Sequence, residues 1–164
     1  MKSSRISLLQ QMPIFGGVKE SVIKIILDGS DIIKVNKSEY FFNEGDPSHY
    51  LYVLETGLVA VIKRFKKQQY LLAQLHKGDC FGEMEILDLL PRSASIYALE
   101  DCSAIQMPSS TLYKIYKKDC RQYSLILMNI ARELSRRLRE TDQAICQAYV
   151  ATGKIKTIKP FKTK

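Results

Sequence analysis

The hydrophobic pattern of these 164 residues changes period twice, and those two switches constrain the fold more than any composition figure. Up to residue 27, Ile6, Leu9, Ile14, Val18, Val22, Ile25 and Ile26 recur at helical spacing, while Pro13 and the Gly16-Gly17 pair break the segment into pieces. From Asp31 the pattern becomes short apolar or alternating runs at residues 32–35, 40–42, 51–54, 58–62, 70–75, 94–98 and 103–107. Gly45-Asp46-Pro47, Glu55-Thr56-Gly57 and Lys77-Gly78-Asp79 punctuate them with turn residues. Many short strands with regular turns predict a sandwich or barrel, here a jelly roll.

After Pro108 the helical period returns, with Ser109 or Ser110 as the expected N-cap. Residues 120–150 contain neither proline nor glycine. Their apolar stripe runs Leu127, Ile130, Leu134, Leu138, Ile145 and Tyr149. At a rise of 1.5 Å per residue such a helix spans roughly 45 Å, more than one small barrel covers. Its far end either projects or meets a partner; the helix packs on its own barrel or serves a dimer. The expected organisation is mainly β with flanking helices: helices over 6–30, a β-roll over 31–108, helices over 109–149 and a basic tail over 150–164, expected to be flexible.

The formal net charge is +8, from 25 Lys and Arg against 17 Asp and Glu. The basic residues gather in 63–67, where a hairpin turn is expected, in 132–139, and in the tail from 154 to 164. Such runs read as solvated faces, and nucleic acid is not an expected partner, although a basic tail suits salt-sensitive contact with acidic surfaces. No apolar run reaches the ~20 residues of a membrane span, and no signal-type segment opens the chain, so a cytoplasmic protein is expected. Cys80, Cys102, Cys120 and Cys146 lack metal-ligand spacing and read as reduced thiols. His49 and His76 have no cysteine or carboxylate at ligand spacing, and no nucleophile or phosphate-loop motif occurs. Neither an enzyme nor a metal protein is expected.

Residues 81–97 carry the functional information. Gly82 lets the backbone approach a ligand closely. Should residues 83–88 form a helical turn or two, their free N–H groups suit an anion. Arg92 can close on that anion with a bidentate fork. Glu83 would repel an anion but can accept from a hydroxyl, such as a ribose 2′-OH. An anion and a sugar hydroxyl held side by side describe a cyclic nucleotide.

Phe81-Gly82-Glu83 followed by Pro91-Arg92-Ser93-Ala94-Ser95 resembles the phosphate-binding cassette of the cyclic nucleotide-binding domain superfamily. The superfamily includes the catabolite activator proteins and the regulatory subunits of cAMP-dependent kinase. Phe42-Asn43-Glu44-Gly45-Asp46-Pro47, Leu51-Tyr52-Val53-Leu54 with Gly57, and Lys77-Gly78-Asp79 are similar to its upstream motifs, and the likeness extends from about Leu8 to about Arg139. The resemblance implies that Gly82, Glu83, Arg92, Ser93 and Ala94 bind phosphate and ribose. It also implies base contacts from Val61, Leu72 and Phe81, and from Arg137 and Thr141 on the long helix, where the Thr-Ser pair of the catabolite activators is absent. The ligand implied is cAMP, with cGMP as the alternative.

Two positions depart from the family pattern. Glu85 stands where many relatives carry alanine, glycine or serine; turned inward, it would oppose a phosphate by about 1 kcal/mol or more at an effective dielectric near 20. Leu89-Leu90 places two large apolar residues on an expected loop. The expected function is a cytoplasmic cyclic nucleotide sensor whose ligand moves the C-terminal helix, acting as a homodimer on an unidentified downstream protein. The alternative is a ligand-free interaction module with a degenerate pocket.

Overall fold

A computed structural model describes residues 2–152. Helix α1 (Lys2–Gln10), a 3-10 turn (Pro13–Phe15) and α2 (Glu20–Asp28) come first, separated where Pro13 and Gly16-Gly17 interrupt the helical pattern. The strands are β1 (Asp31–Val35), β2 (Tyr40–Phe42), β3 (Tyr50–Thr56), β4 (Val59–Phe65), β5 (Gln68–Leu75), β6 (Cys80–Phe81), β7 (Ser95–Ala98) and β8 (Cys102–Pro108). A short α3 (Met84–Asp88) joins β6 to β7, and α4 (Ser109–Lys118) and α5 (Cys120–Ala151) follow β8. The strands form two four-stranded antiparallel sheets, β1-β8-β3-β6 and β2-β7-β4-β5, which with the flanking helices make the expected jelly roll. Strand β6 was not anticipated from the sequence, because two residues are too few to carry a period. The expected basic tail lies outside the described residues from residue 153 onward.

Strand β3 explains how the layers cohere. Side chains alternate across a strand, and β3 is apolar on both faces. Leu51 and Val53 join Ile105 and Met107 of β8 in a core shared with α1, α2, α4 and α5. Tyr52 and Leu54 point the other way, into a second core with Phe81, Val59, Ile96, Ala98 and Ala104. One strand therefore seals the helical layer to one face of its sheet and the opposite sheet to the other. Strand β5, by contrast, lies at an edge and is exposed at every position but Leu75. Its hairpin turns at Lys66 and Lys67, both at positive φ (47° and 66°), as a two-residue turn between twisted strands requires.

Two expectations about the helices change. Ser109 and Ser110 do not cap α4; Pro108 occupies the N-cap without a side-chain bond, and Ser109 N donates instead to His49 O at 2.9 Å. Proline fixes an extended entry there, and neither serine is needed for it. In α5 the buried residues are Gln122, Ile126, Asn129, Ile130 and Glu133, so the docking face takes Ile130 and the half-buried Leu134 from the apolar stripe but not its far end. Polar side chains with partners share that face: Gln122 accepts from Lys19 N at 2.7 Å, and Asn129 donates to Gly16 O at 2.9 Å. A hydropathy stripe cannot register such residues. From Leu138 to Thr152 every residue of the helix and its cap is exposed.

The turn at Gly57 makes a sharp test of the roll. Its φ is +93°, and an added Cβ would lie 2.6 Å from Cys102 Sγ and 2.7 Å from Asp101 O. Gly57→Ala is expected to lower unfolding stability by about 2 kcal/mol or more, measured by chemical denaturation.

Candidate functional site

The Asn43–Asp46 turn holds the cassette. Gly45 N donates to Arg92 O at 2.9 Å, and Arg92 N donates to Asp46 O at 3.0 Å. Glu44 N donates to Ser95 Oγ at 2.8 Å. The Glu44 carboxylate accepts from Lys63 Nζ at 2.8 Å and from Arg64 N at 2.9 Å, and Lys63 Nζ also donates to Ser93 O at 2.7 Å. Lys63 foremost, with the Arg64 N–H, holds Glu44 below its ordinary pKa. Glu44 and Lys63 therefore position the loop that carries Arg92. Sequence reasoning singled out neither; their long separation along the chain leaves no local signal.

Arg92 is directed into the protein and is only 3% exposed. Nη1 donates to Glu85 Oε2 at 2.9 Å and to Gly82 O at 3.3 Å, and Nη2 donates to Tyr50 O at 2.9 Å. Its guanidinium carbon sits 3.9 Å from the centre of the Phe42 ring and 5.5 Å from that of Tyr52. Nε is buried without a partner. Gly82 has a φ of +74°, and an added Cβ would collide with Arg92 Nη1. The close approach that this glycine permits is thus that of the Arg92 guanidinium.

Glu85 is turned inward and buried, pairing with Arg92 while its Oε1 accepts from Ser93 N at 3.2 Å. Ser93 is exposed, with its hydroxyl near Met84 Sδ at 3.6 Å, and Ala94 is buried. Helix α3 stops at Asp88 because Leu89 turns left-handed (φ 58°), and Leu89 and Leu90 lie on the surface.

Glu83 forms a second charged node. Arg137 Nη1 donates to Glu83 Oε1 at 2.8 Å, Arg137 Nε to Glu133 Oε1 at 3.0 Å, and Arg137 Nη2 to Cys80 O at 2.7 Å. One guanidinium on α5 thereby reads the carboxylate that follows Gly82. Burial raises the Glu83 pKa, only partly offset by Arg137. Glu133 is lowered, chiefly by its hydrogen bond from Arg136. Burial opposes the Arg137 charge, but the surrounding Glu83, Cys80 and Glu133 raise its pKa on balance.

The residues expected at a base do not converge equally. Phe81 is buried and stacked on Tyr52, with ring centroids 5.2 Å apart. Val61 is half-buried beside the inner core. Strand register jumps between Val61 and Ile62, which pair with Ala73 and Leu71, so Leu72 is the extra residue of a bulge and lies 59% exposed. Thr141 is exposed, and its hydroxyl donates to Arg137 O at 2.9 Å. Among the described residues there is no metal-binding cluster, and no helix is long and apolar enough to cross a membrane.

Comparison with known proteins agrees with the fold. A family model described as cyclic nucleotide-binding domain matches residues 32–119. The Cyclic AMP receptor protein of Thermus thermophilus is 31% identical over 135 residues, covering 79% of this chain and 59% of that protein. A cAMP-dependent protein kinase regulatory subunit of Emericella nidulans is 33% identical over 92 residues, 56% of this chain and 22% of that one. The chain thus spans less than two thirds of either relative. The crystal structure of Thermus thermophilus catabolite activator protein superposes with a TM-score of 0.71 at 28% identity, covering 83% of this chain and 62% of that chain.

The two glutamates of the second node titrate in opposite senses. Glu83 has a folded pKa above its ordinary 4.5, so its contribution to stability is complete below that value and is lost as pH rises through the raised one. Glu133 contributes above its ordinary 4.5, and that contribution is lost as pH falls through its lowered value. Carboxyl-carbon NMR titration is expected to place the Glu83 midpoint above the usual glutamate range and the Glu133 midpoint below it.

Proposed function

The chain belongs to the cyclic nucleotide-binding domain family, and from that premise we propose that it is a sensor for a cyclic nucleotide, with cAMP the favoured ligand. The observation that carries this reading is the buried Arg92 guanidinium, held beside the Gly82 carbonyl and converging with the Ser93 N–H on one carboxylate, with Glu83 next to Gly82 in the chain. Arg92 and Ser93 N take the cyclic phosphate, with Ala94 small enough for close approach. Glu83 accepts from the ribose 2′-OH, with Gly82 leaving room for the sugar. Val61, Leu72 and Phe81 form the wall for the base, and Arg137 and Thr141 approach it from α5. The named receptors and regulatory subunits among the relatives support a regulatory role in place of a catalytic one.

The output runs through α5. Because Arg137 bridges Glu83 to Glu133, a ligand hydroxyl arriving at Glu83 competes for the bond that ties the helix to the cassette. A preference for one helix position in the liganded state then shifts its population. The exposed Leu138, Ile145 and Tyr149 on the projecting half suit pairing with a second copy, and the downstream partner meets that dimer in the cytoplasm.

A second reading is a ligand-free interaction module; the Glu85–Arg92 ion pair favours it, because an internal anion already uses the guanidinium. Isothermal titration separates the two. Saturable cAMP binding, micromolar or tighter and stronger than cGMP binding, is expected, together with its loss in Arg92→Lys, which keeps a charge for Glu85 but lacks the fork. A folded wild-type sample giving no heat with either nucleotide would support the module. For the helix, sedimentation is expected to show a dimer that Leu138→Glu with Ile145→Glu converts to monomer.

A further inference from the structure

The anion donors of the cassette already hold an anion. Glu85 Oε2 accepts from Arg92 Nη1 at 2.9 Å, and Glu85 Oε1 accepts from Ser93 N at 3.2 Å. A guanidinium and a peptide N–H converging on the two oxygens of one anion is the contact set proposed above for the cyclic phosphate. Both charged side chains are buried, Arg92 at 3% and Glu85 at 6% exposure, so this is no loose surface pair. The pair is also incomplete, since Arg92 Nε is buried without an acceptor.

We infer that Glu85 is a tethered occupant of the phosphate seat, a residue that sets the ligand concentration at which the domain responds. The inference rests on the cyclic nucleotide reading above. Two anions cannot share one buried guanidinium without strong mutual repulsion, so ligand entry expels the Glu85 carboxylate. As part of the same chain, that carboxylate competes at a high effective concentration. The apparent affinity for the nucleotide is reduced by the fraction of molecules whose seat is open. Glu83, two residues earlier, escapes this competition because its carboxylate is engaged by Arg137. The charge repulsion is thereby confined to the phosphate end of the site.

The test compares cAMP affinity of the wild-type chain with that of Glu85→Gln and Glu85→Ala. The first variant keeps the size of the side chain and removes its charge; the second removes both, and circular dichroism verifies the fold of each. Both are expected to bind cAMP at least fivefold more tightly than wild type, and adding Arg92→Lys to either is expected to abolish the gain. Binding detectable only in the variants would overturn the inference in favour of the ligand-free module, with Glu85 closing the seat outright. Wild-type binding with less than a fivefold gain in the variants would overturn the role of Glu85 and leave the sensor reading standing. No binding by any of three folded proteins would overturn both. An independent readout is the Ser93 backbone amide in a proton–nitrogen NMR spectrum. Inorganic phosphate is expected to shift that signal at lower concentration in Glu85→Gln than in wild type, and equal responses count against the inference.

Discussion

Everything near the cassette depends on one buried cation. A guanidinium removed from water is tolerable only where acceptors and polarisable faces replace its hydration. Arg92 obtains them from four chain segments: the Tyr50 and Gly82 carbonyls, the Glu85 carboxylate, and the Phe42 ring. Those same segments include β2, β3, the glycine after β6, and α3. The charge therefore acts as a local organiser, and the cost of depriving it of its carboxylate partner is on the order of 3–5 kcal/mol. It also explains why residue 82 is a glycine here, since a side chain at that point would occupy the volume of the guanidinium.

A second ion-paired node lies two residues from Glu85 along the chain and links the cassette to the helical layer. Glu83, Arg137 and Glu133 form a continuous chain of charge-assisted bonds from the β6–α3 loop to α5. Below this node α5 is packed through Ile126 and Ile130 against the outer core. Beyond it, from Leu138, the helix has no contact that buries it. Arg137 thus marks the boundary between the anchored and the free halves of a helix about 48 Å long, at 1.5 Å per residue.

Much of the fold was legible because it rests on local periodicity. The seven expected strand runs all appear, with ends moved by at most two or three residues, and the breaks at Pro13 and Gly16-Gly17 fall where the helices part. The family was legible too, because its motifs are contiguous in sequence. What failed were inferences that needed a third dimension. The serine caps of α4 gave way to a backbone bond from Ser109 N to His49 O. The buried face of α5 was only partly legible, because Gln122, Asn129 and Glu133, which share it with Ile130, are polar by type and buried by partnership. The joint role of Glu44 and Lys63 escaped notice because their bonds join a turn, a strand and a loop from distant parts of the chain.

By itself, then, the sequence determined the jelly roll with its helices, since alternation and turn residues act over a few neighbours, and it marked Glu85 as a misfit within its motif. Tertiary structure alone decided which way that glutamate faces. Burial of Arg92 against the Tyr50 and Gly82 carbonyls and the Phe42 ring left a charge in need of a carboxylate, and Glu85 on the adjoining turn of helix is the acidic group that reaches it. Charge pairing in a low-dielectric interior depends on the distance between atoms brought together by folding, and no spacing along a chain encodes that distance.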